Sequence, residues 1–245
     1  MKYKNIIFDL DNTLIDNKLH MINVLKKIAG KYALPEVLNR AEEFYYSENK
    51  FWQNYKIDLK AIPQQYKTDK EKVEYVRSIP FFKFFNIDEK VIRKIQKDYI
   101  KFLGEDCEPF GDVKTALKIL SKSYNIYVAS NEAVSAIIGK LKTASIYKFF
   151  KGVFSAEEVM GEIKPSAAYF NGFIKKFNLN KSESVMAGDS LINDCKGAMD
   201  AGLDAVWVNR KNLKDEQNIK PAYMVTSLAE LPEILNKDVK KKKSV

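Results

Sequence analysis

From Asn125 onward the sequence alternates short apolar runs with amphipathic stretches, and few folds accept such an alternation. The runs Asn125–Ala129, Gly152–Ser155, Ser184–Ala187 and Ala205–Asn209 read as strands. Asp112–Ser121, Ala133–Ala144, Ser166–Phe177 and Leu191–Ala201 read as the helices around them. Near the start, Lys4–Leu10 is a further strand, with Ile6, Ile7 and Phe8 in a row. Strands this short and this continuously apolar must be covered on both faces. The expectation is an α/β fold: a doubly wound, Rossmann-like parallel sheet.

The first strand is separated from the others by about 90 residues with only helical patterns. Asp16 or Asn17 can cap a helix running to about Tyr32, with Leu19, Ile22, Leu25, Ile28 and Ala29 on one face. Ala41–Tyr55, Thr68–Ile79 and Asp88–Leu103 follow as helices, with Pro35, Pro63 and Pro80 expected between them. This block reads as an all-helical cap domain, 16–108, inserted into a discontinuous core of 1–15 and 109–245. The stretches Asp16–Asn17 and Glu105–Gly111 are the expected hinges. The tail 237–245, with five lysines and one aspartate, is expected to be disordered.

Composition narrows the chemistry. The single histidine, His20, argues against a multi-histidine zinc site and against Ser-His-Asp catalysis. Its expected place is a solvent-facing helix position. Cys107 and Cys195 have no metal-binding or redox spacing and are expected as free thiols, Cys195 in packing. No apolar run reaches membrane-spanning length, and Asp9 and Asp11 interrupt the first apolar stretch, so neither a membrane anchor nor a signal peptide is expected. A cytoplasmic protein is the resulting expectation. The net charge of +9 favours anionic partners, but its lysines are scattered over helix faces, so no nucleic-acid polymer is expected.

Ligands of doubly wound sheets sit at the carboxyl ends of the strands, and four polar groups fall there. Asp9 and Asp11 leave the first strand two residues apart, on the same side. One carboxylate can attack a phosphorus while the other gives and takes a proton. Ser130-Asn131 follows the second strand, where a hydroxyl and helix-opening amides suit a phosphate oxygen or simply cap a helix. Lys164, before Pro165, can neutralise a nucleophile and a phosphoryl group, and Pro165 suits the first turn of the next helix. Asp189 and Asp194, in Gly188-Asp189-Ser190 and Asn193-Asp194, can complete a hard oxygen site of the kind Mg²⁺ prefers, or cap the helix.

The segments FDLDNTL, VASN, IKPS and GDSLIND resemble the four motifs of the haloacid dehalogenase-like hydrolase superfamily, and the helical insertion resembles the cap of its phosphatase branch. The resemblance implies Asp9 as nucleophile and Mg²⁺ ligand, and Asp11 as general acid/base and, through its carbonyl, a metal ligand. It implies Ser130 and the amide of Asn131 as holders of phosphoryl oxygens and Lys164 as their counter-charge. Asp189 would be a metal ligand, and Asp194 a water-mediated ligand or the partner that orients Lys164. The superfamily's true dehalogenases lack the second carboxylate, so Asp11 argues for phosphoryl transfer. Many relatives have Gly where this chain has Glu132, which is expected to point away from the phosphate pocket.

The resemblance thus implies, as an expectation, a Mg²⁺-dependent phosphatase of small phosphorylated metabolites that acts through an aspartyl-phosphate; a monomer or homodimer is expected. Nucleoside monophosphates lead as substrates; phosphoglycolate or sugar phosphates, a phosphomutase, and a catalytically silent phosphate binder are the rivals. Specificity is expected in the cap, where Phe44, Tyr45, Tyr46, Phe51, Trp52, Tyr55, Phe81, Phe82, Phe84 and Phe85 either stack on a planar leaving group or form its core. Trp52 and Arg77 resemble cap residues of the family's nucleotidases, while Arg77 also fits a surface ion pair.

Overall fold

The computed structural model describes residues 2–54, 62–87, 89–159 and 162–241. Tyr55, Asp88, Gly161 and the tail end 242–245, each part of the sequence reading, lie outside them. Six parallel strands form one sheet: β1 Asn5–Phe8, β2 Asn125–Ala129, β3 Gly152–Phe154, β4 Ser184–Gly188, β5 Asp204–Val208 and β6 Tyr223–Val225. Their order is β3-β2-β1-β4-β5-β6, so the winding direction reverses between β1 and β4. Phe8 is in register with Val128 on one side and Ala187 on the other.

Alternation along each strand explains the two covered faces. Ile6, Phe8, Ile126, Val128, Val185 and Ala187 enter one core, with α6 (Val113–Leu120) and α10 (Leu231–Lys241). Ile7, Tyr127, Ala129 and Met186 enter the other, under α8 (Ala167–Phe177) and α9 (Gly197–Asp200). Ile6, Ile7 and Phe8 are fully buried, and each contributes about 1.5–3 kcal/mol of transfer free energy. The remaining helix of this half, α7 (Val134–Thr143), follows β2.

The helices α1 (Asn17–Tyr32), α2 (Pro35–Asn39), α3 (Ala41–Asn54), α4 (Asp69–Phe85) and α5 (Glu89–Leu103) share a separate core. The Asp16 carboxylate caps α1 by accepting from the amides of Lys18 and Leu19. Thr68 and Glu71 form a capping box for α4. The chain leaves for these helices beside Ile15, which is bridged to Pro109, and Phe110 donates to the Leu14 carbonyl at 3.0 Å. Entry and exit therefore lie side by side, next to the expected hinges. Where α5 ends, Gly104 meets α7 at Gly139, and a Cβ on Gly139 would stand 2.5 Å from the Gly104 oxygen.

Five expectations are corrected. Pro80 does not end a helix; α4 continues to Phe85. An internal proline costs about 3 kcal/mol, but Phe81, Phe82 and Phe85 beyond it are buried, Phe81 and Phe85 against Phe44, and each buried ring returns a comparable amount. Pro165 is not in the first turn of α8; Ser166 caps that helix through the Ala168 amide. The helix after β4 is two pieces, a π-type turn Leu191–Lys196 and then α9. The tail is helical through Lys241, because Leu231 and Leu235 are buried on one side of α10. His20 is buried, its Nε2 against the Leu103 carbonyl at 3.0 Å. The aromatics divide: Phe44 and Phe81 are core, Tyr46 is exposed. Among the described residues no helix is long and apolar enough to cross a membrane.

Burial, with the nearby Lys140 charge, pushes the His20 imidazole from 6.5 down to about 4. The folded protein thus refuses a proton that the unfolded chain accepts. Stability is complete above pH 6.5 and is lost as the pH falls toward 4. Relative to His20→Gln, the wild type should lose about 2–3 kcal/mol more between pH 7.5 and 4.5 in urea unfolding. Parallel pH dependences for the two proteins would contradict this assignment.

Candidate active site

The strand ends at the winding reversal converge on one cavity of about 540 Å³. Asp9 follows β1, its amide donating to the Ala187 carbonyl of β4 at 2.9 Å. Its Oδ1 lies 2.6 Å from the Lys164 ammonium, which also contacts Asp194 Oδ1 at 2.7 Å. All three side chains are nearly fully buried. Lys164 is fixed by its backbone as well: its amide donates to Asn131 Oδ1 at 2.8 Å, and Asn131 Nδ2 donates back to the Lys164 carbonyl. The loops after β2 and β3 are thereby joined.

The loop after β4 folds onto the same point. The Ser190 amide donates to Asp194 Oδ2 at 3.0 Å. A Cβ on Gly188 would sit 2.2 Å from that oxygen, so only glycine lets Asp194 lie over the strand end. The Asp189 amide donates to Thr13 Oγ1 at 2.9 Å, and Trp207 Nε1 donates to the Asp189 carbonyl. Arg210 clasps the Thr13 carbonyl and both oxygens of Asp112, which ties the loop after β1 to the start of α6.

Asp9, Asp189 and Asp194 each offer a carboxylate oxygen, all within 4.8 Å of one another. Lys164 pairs with two of these carboxylates. Burial first, then the charges of Asp9 and Asp194, push the Asp189 carboxyl well above its ordinary range. Burial likewise raises Asp9 to about 6, against the pull of Lys164. Burial opposes the charged Lys164, but Asp194 and Asp9 outweigh it and hold the ammonium above its ordinary range. Such a crowded set of hard oxygen donors suits a divalent cation such as Mg²⁺.

Asp11 lies on the cavity wall with its Oδ1 accepting from Lys140 at 2.7 Å. Burial lifts its carboxyl to about 6, less than it would without Lys140. Ser130 also lines the cavity; its hydroxyl accepts from the Glu132 amide, and its carbonyl accepts from Tyr169. The structure therefore places Asp9, Asp11, Ser130, Asn131, Lys164, Asp189 and Asp194 around one space. Trp52 and Arg77 line its other wall with Asn17 and Asn49, and the segment Leu213–Gln217 borders it.

Glu132 does not point away, as expected, but lines the cavity. Its Oε1 is 2.8 Å from Arg77 and 3.5 Å from Lys140. Burial opposes its charge, yet Lys140 and Arg77 prevail and hold its carboxyl below the usual range. Arg77 is accordingly an ion-pair residue, but a buried one, stacked 4.4 Å over Trp52. The sequence reading missed Lys140, Trp207, Asn17 and Asn49. Lys140 carried a signal: it shares the spacing of Ala136, Ile137, Leu141 and Ala144, the buried face of α7.

The fold and site define a doubly wound α/β protein with a carboxylate-lined cleft at its winding reversal, and comparison with known proteins makes the class specific. The chain belongs to the haloacid dehalogenase-like hydrolase family, whose profile matches residues 6–208. It is 25% identical to the pyrimidine 5'-nucleotidase PynA of Streptococcus pneumoniae, over 99% of each chain. It is also 25% identical to (S)-2-haloacid dehalogenase 2 of a Pseudomonas strain, over 95% of this chain and 96% of that one. Among solved structures it resembles the HAD-hydrolase YfnB of Bacillus subtilis bound to magnesium, with a TM-score of 0.76, 23% identity, and coverage of 96% and 100%.

The repulsion among the carboxylates yields a prediction. Asp189→Asn should raise the melting temperature in chelator, because a neutral amide replaces a carboxyl whose ionised form is opposed by burial and by the Asp9 and Asp194 charges. For a chain of this size each kcal/mol relieved is worth about 2–4 °C. Added Mg²⁺ should raise the melting temperature of the wild type, and the same variant should lose that rise. A lower melting point in chelator would contradict the electrostatic reading.

Proposed function

We propose that this chain is a Mg²⁺-dependent phosphatase of small phosphomonoesters, with nucleoside monophosphates as the favoured substrates. The observation that carries the reading is the pair Asp9 and Asp11 on one cavity wall, one carboxylate beside Lys164 and the other beside Lys140. A dehalogenase needs the attacking carboxylate only; phosphoryl transfer uses both.

In this reading Asp9 attacks the phosphorus, the ester P–O bond breaks, and the leaving oxygen takes a proton from Asp11. Water then gives a proton to Asp11 and attacks the aspartyl-phosphate, which frees the Asp9 carboxylate and inorganic phosphate. Lys164 holds Asp9 in place and screens its charge from the phosphoryl oxygens, and Asp194 orients Lys164. Ser130 and the Asn131 amide receive phosphoryl oxygens. Asp9, Asp189, the Asp11 carbonyl and Asp194, directly or through water, would hold Mg²⁺, which supplies positive charge opposite the phosphoryl group. The magnesium described for YfnB supports this choice of ion.

The helices of residues 16–108 act as the cap in this reading and contribute Asn17, Asn49, Trp52 and Arg77 to the cavity wall. A cavity of about 540 Å³ accommodates a leaving group as large as a nucleoside. The likeness to PynA along the full chain supports the nucleotide preference.

A screen of phosphorylated metabolites with Mg²⁺ tests the proposal. Phosphate release should be highest from nucleoside monophosphates, should vanish in EDTA and should return with added Mg²⁺. Asp9→Asn should lower kcat at least roughly 1000-fold, since the covalent step is gone. Wild-type turnover in this variant, or full activity in chelator, would overturn the assigned roles. A clear preference for sugar phosphates would overturn the substrate choice alone.

A further inference from the structure

Lys140 lies on α7 with its side chain fully buried, behind the cavity wall rather than on it. Its ammonium is 2.7 Å from Asp11 Oδ1 and 3.5 Å from Glu132 Oε1. Glu132 in turn pairs with Arg77 at 2.8 Å, and Arg77 approaches Glu48 at 3.8 Å. Alternating charges thus run from the loop after β1, through α7, to α4 and α3. Desolvating an ammonium this completely is costly, and a surface lysine on α7 would avoid the cost. What the burial secures is geometric. Asp11 sits in a loop whose next residue, Asn12, has a φ of 62°, and Lys140 occupies the Oδ1 oxygen. Oδ2 is left for a proton and a substrate oxygen.

We infer that Lys140 is a positioning residue for the Asp11 carboxylate, held in turn by Glu132 and Arg77. It touches no substrate and acts through Asp11 alone. The inference rests on the phosphatase reading, in which Asp11 first protonates the leaving oxygen and then takes a proton from water. A misplaced Asp11 impairs both transfers, but an aryl ester needs only the second, because its phenoxide leaves without a proton.

Stopped-flow kinetics of the full chain with Mg²⁺ separate the steps, with 4-nitrophenyl phosphate compared against an alkyl phosphate. With the aryl ester, Lys140→Met should keep the nitrophenolate burst rate within about threefold while steady turnover falls about 50-fold. With the alkyl ester, bond cleavage itself should slow about 50-fold. For the aryl ester KM should fall together with kcat, so that kcat/KM holds within about threefold; for the alkyl ester KM should hold within about twofold, and Lys140→Arg should recover kcat to within about fivefold of wild type. Glu132→Gln, nearly isosteric, should show the same pattern with about a tenfold loss, and it carries the test if Lys140→Met does not fold.

Equal losses in burst and turnover on both esters, in either variant, would mean a merely structural ion pair and overturn the inference. So would wild-type rates in Lys140→Met while Asp9→Asn is inactive, an outcome that leaves the phosphatase reading intact. A wild-type protein that releases phosphate from no ester would remove that reading and this inference together.

Discussion

The site is organised around one buried ammonium. Lys164 stands between Asp9 and Asp194 with both contacts under 3 Å, and its backbone is clasped by Asn131. Four strand-end loops are brought to one point by this residue and its partners. Without it, two carboxylates would remain buried and unpaired, a loss of about 3–5 kcal/mol in comparable cases. The arrangement is also deliberately incomplete. Asp189 stands in the crowd of carboxylates, and burial and its neighbours' charges oppose its ionised form. That imbalance suits a hard cation and costs stability while none is bound.

A second line of charge joins the two parts of the molecule. Asp11 and Lys140 belong to the sheet half, Arg77 and Glu48 to the inserted helices, and Glu132 stands between them. Where a glycine would leave open space, the Glu132 side chain gives the helices an electrostatic seat on the core. The Gly104–Gly139 contact is the steric counterpart, a crossing where the backbones of the chain after α5 and of α7 touch directly. Between these two contacts the helices that border the cavity are set against the residues proposed to perform the chemistry.

Much of this was legible in the sequence. β2 was read at its observed bounds, because five apolar-rich residues between polar neighbours admit few interpretations. The strand-end rule led to the residues that meet around the cavity, since a parallel sheet leaves little choice about where its loops converge. β6 was missed because Tyr223–Val225 is only three residues long, too short an apolar run to stand out at the end of a long polar stretch. The continuation of α4 through Pro80 was missed because propensity was weighed without the phenylalanine cluster that overrides it. His20, Glu132 and Lys140 were misjudged or overlooked for a shared reason. Polar residues are ordinarily exposed, and only the pairing of distant segments shows which of them are buried with partners.

In the proposed reaction Asp9 becomes covalently phosphorylated. Incubating the full chain with Mg²⁺ and a turned-over phosphomonoester, quenching with borohydride and mapping peptides by mass spectrometry tests it directly. An acyl phosphate is reduced to an alcohol, so homoserine should replace the aspartate at position 9 and no other. Turnover with an unmodified Asp9, or reduction at a different carboxylate, would rule out Asp9 as the nucleophile.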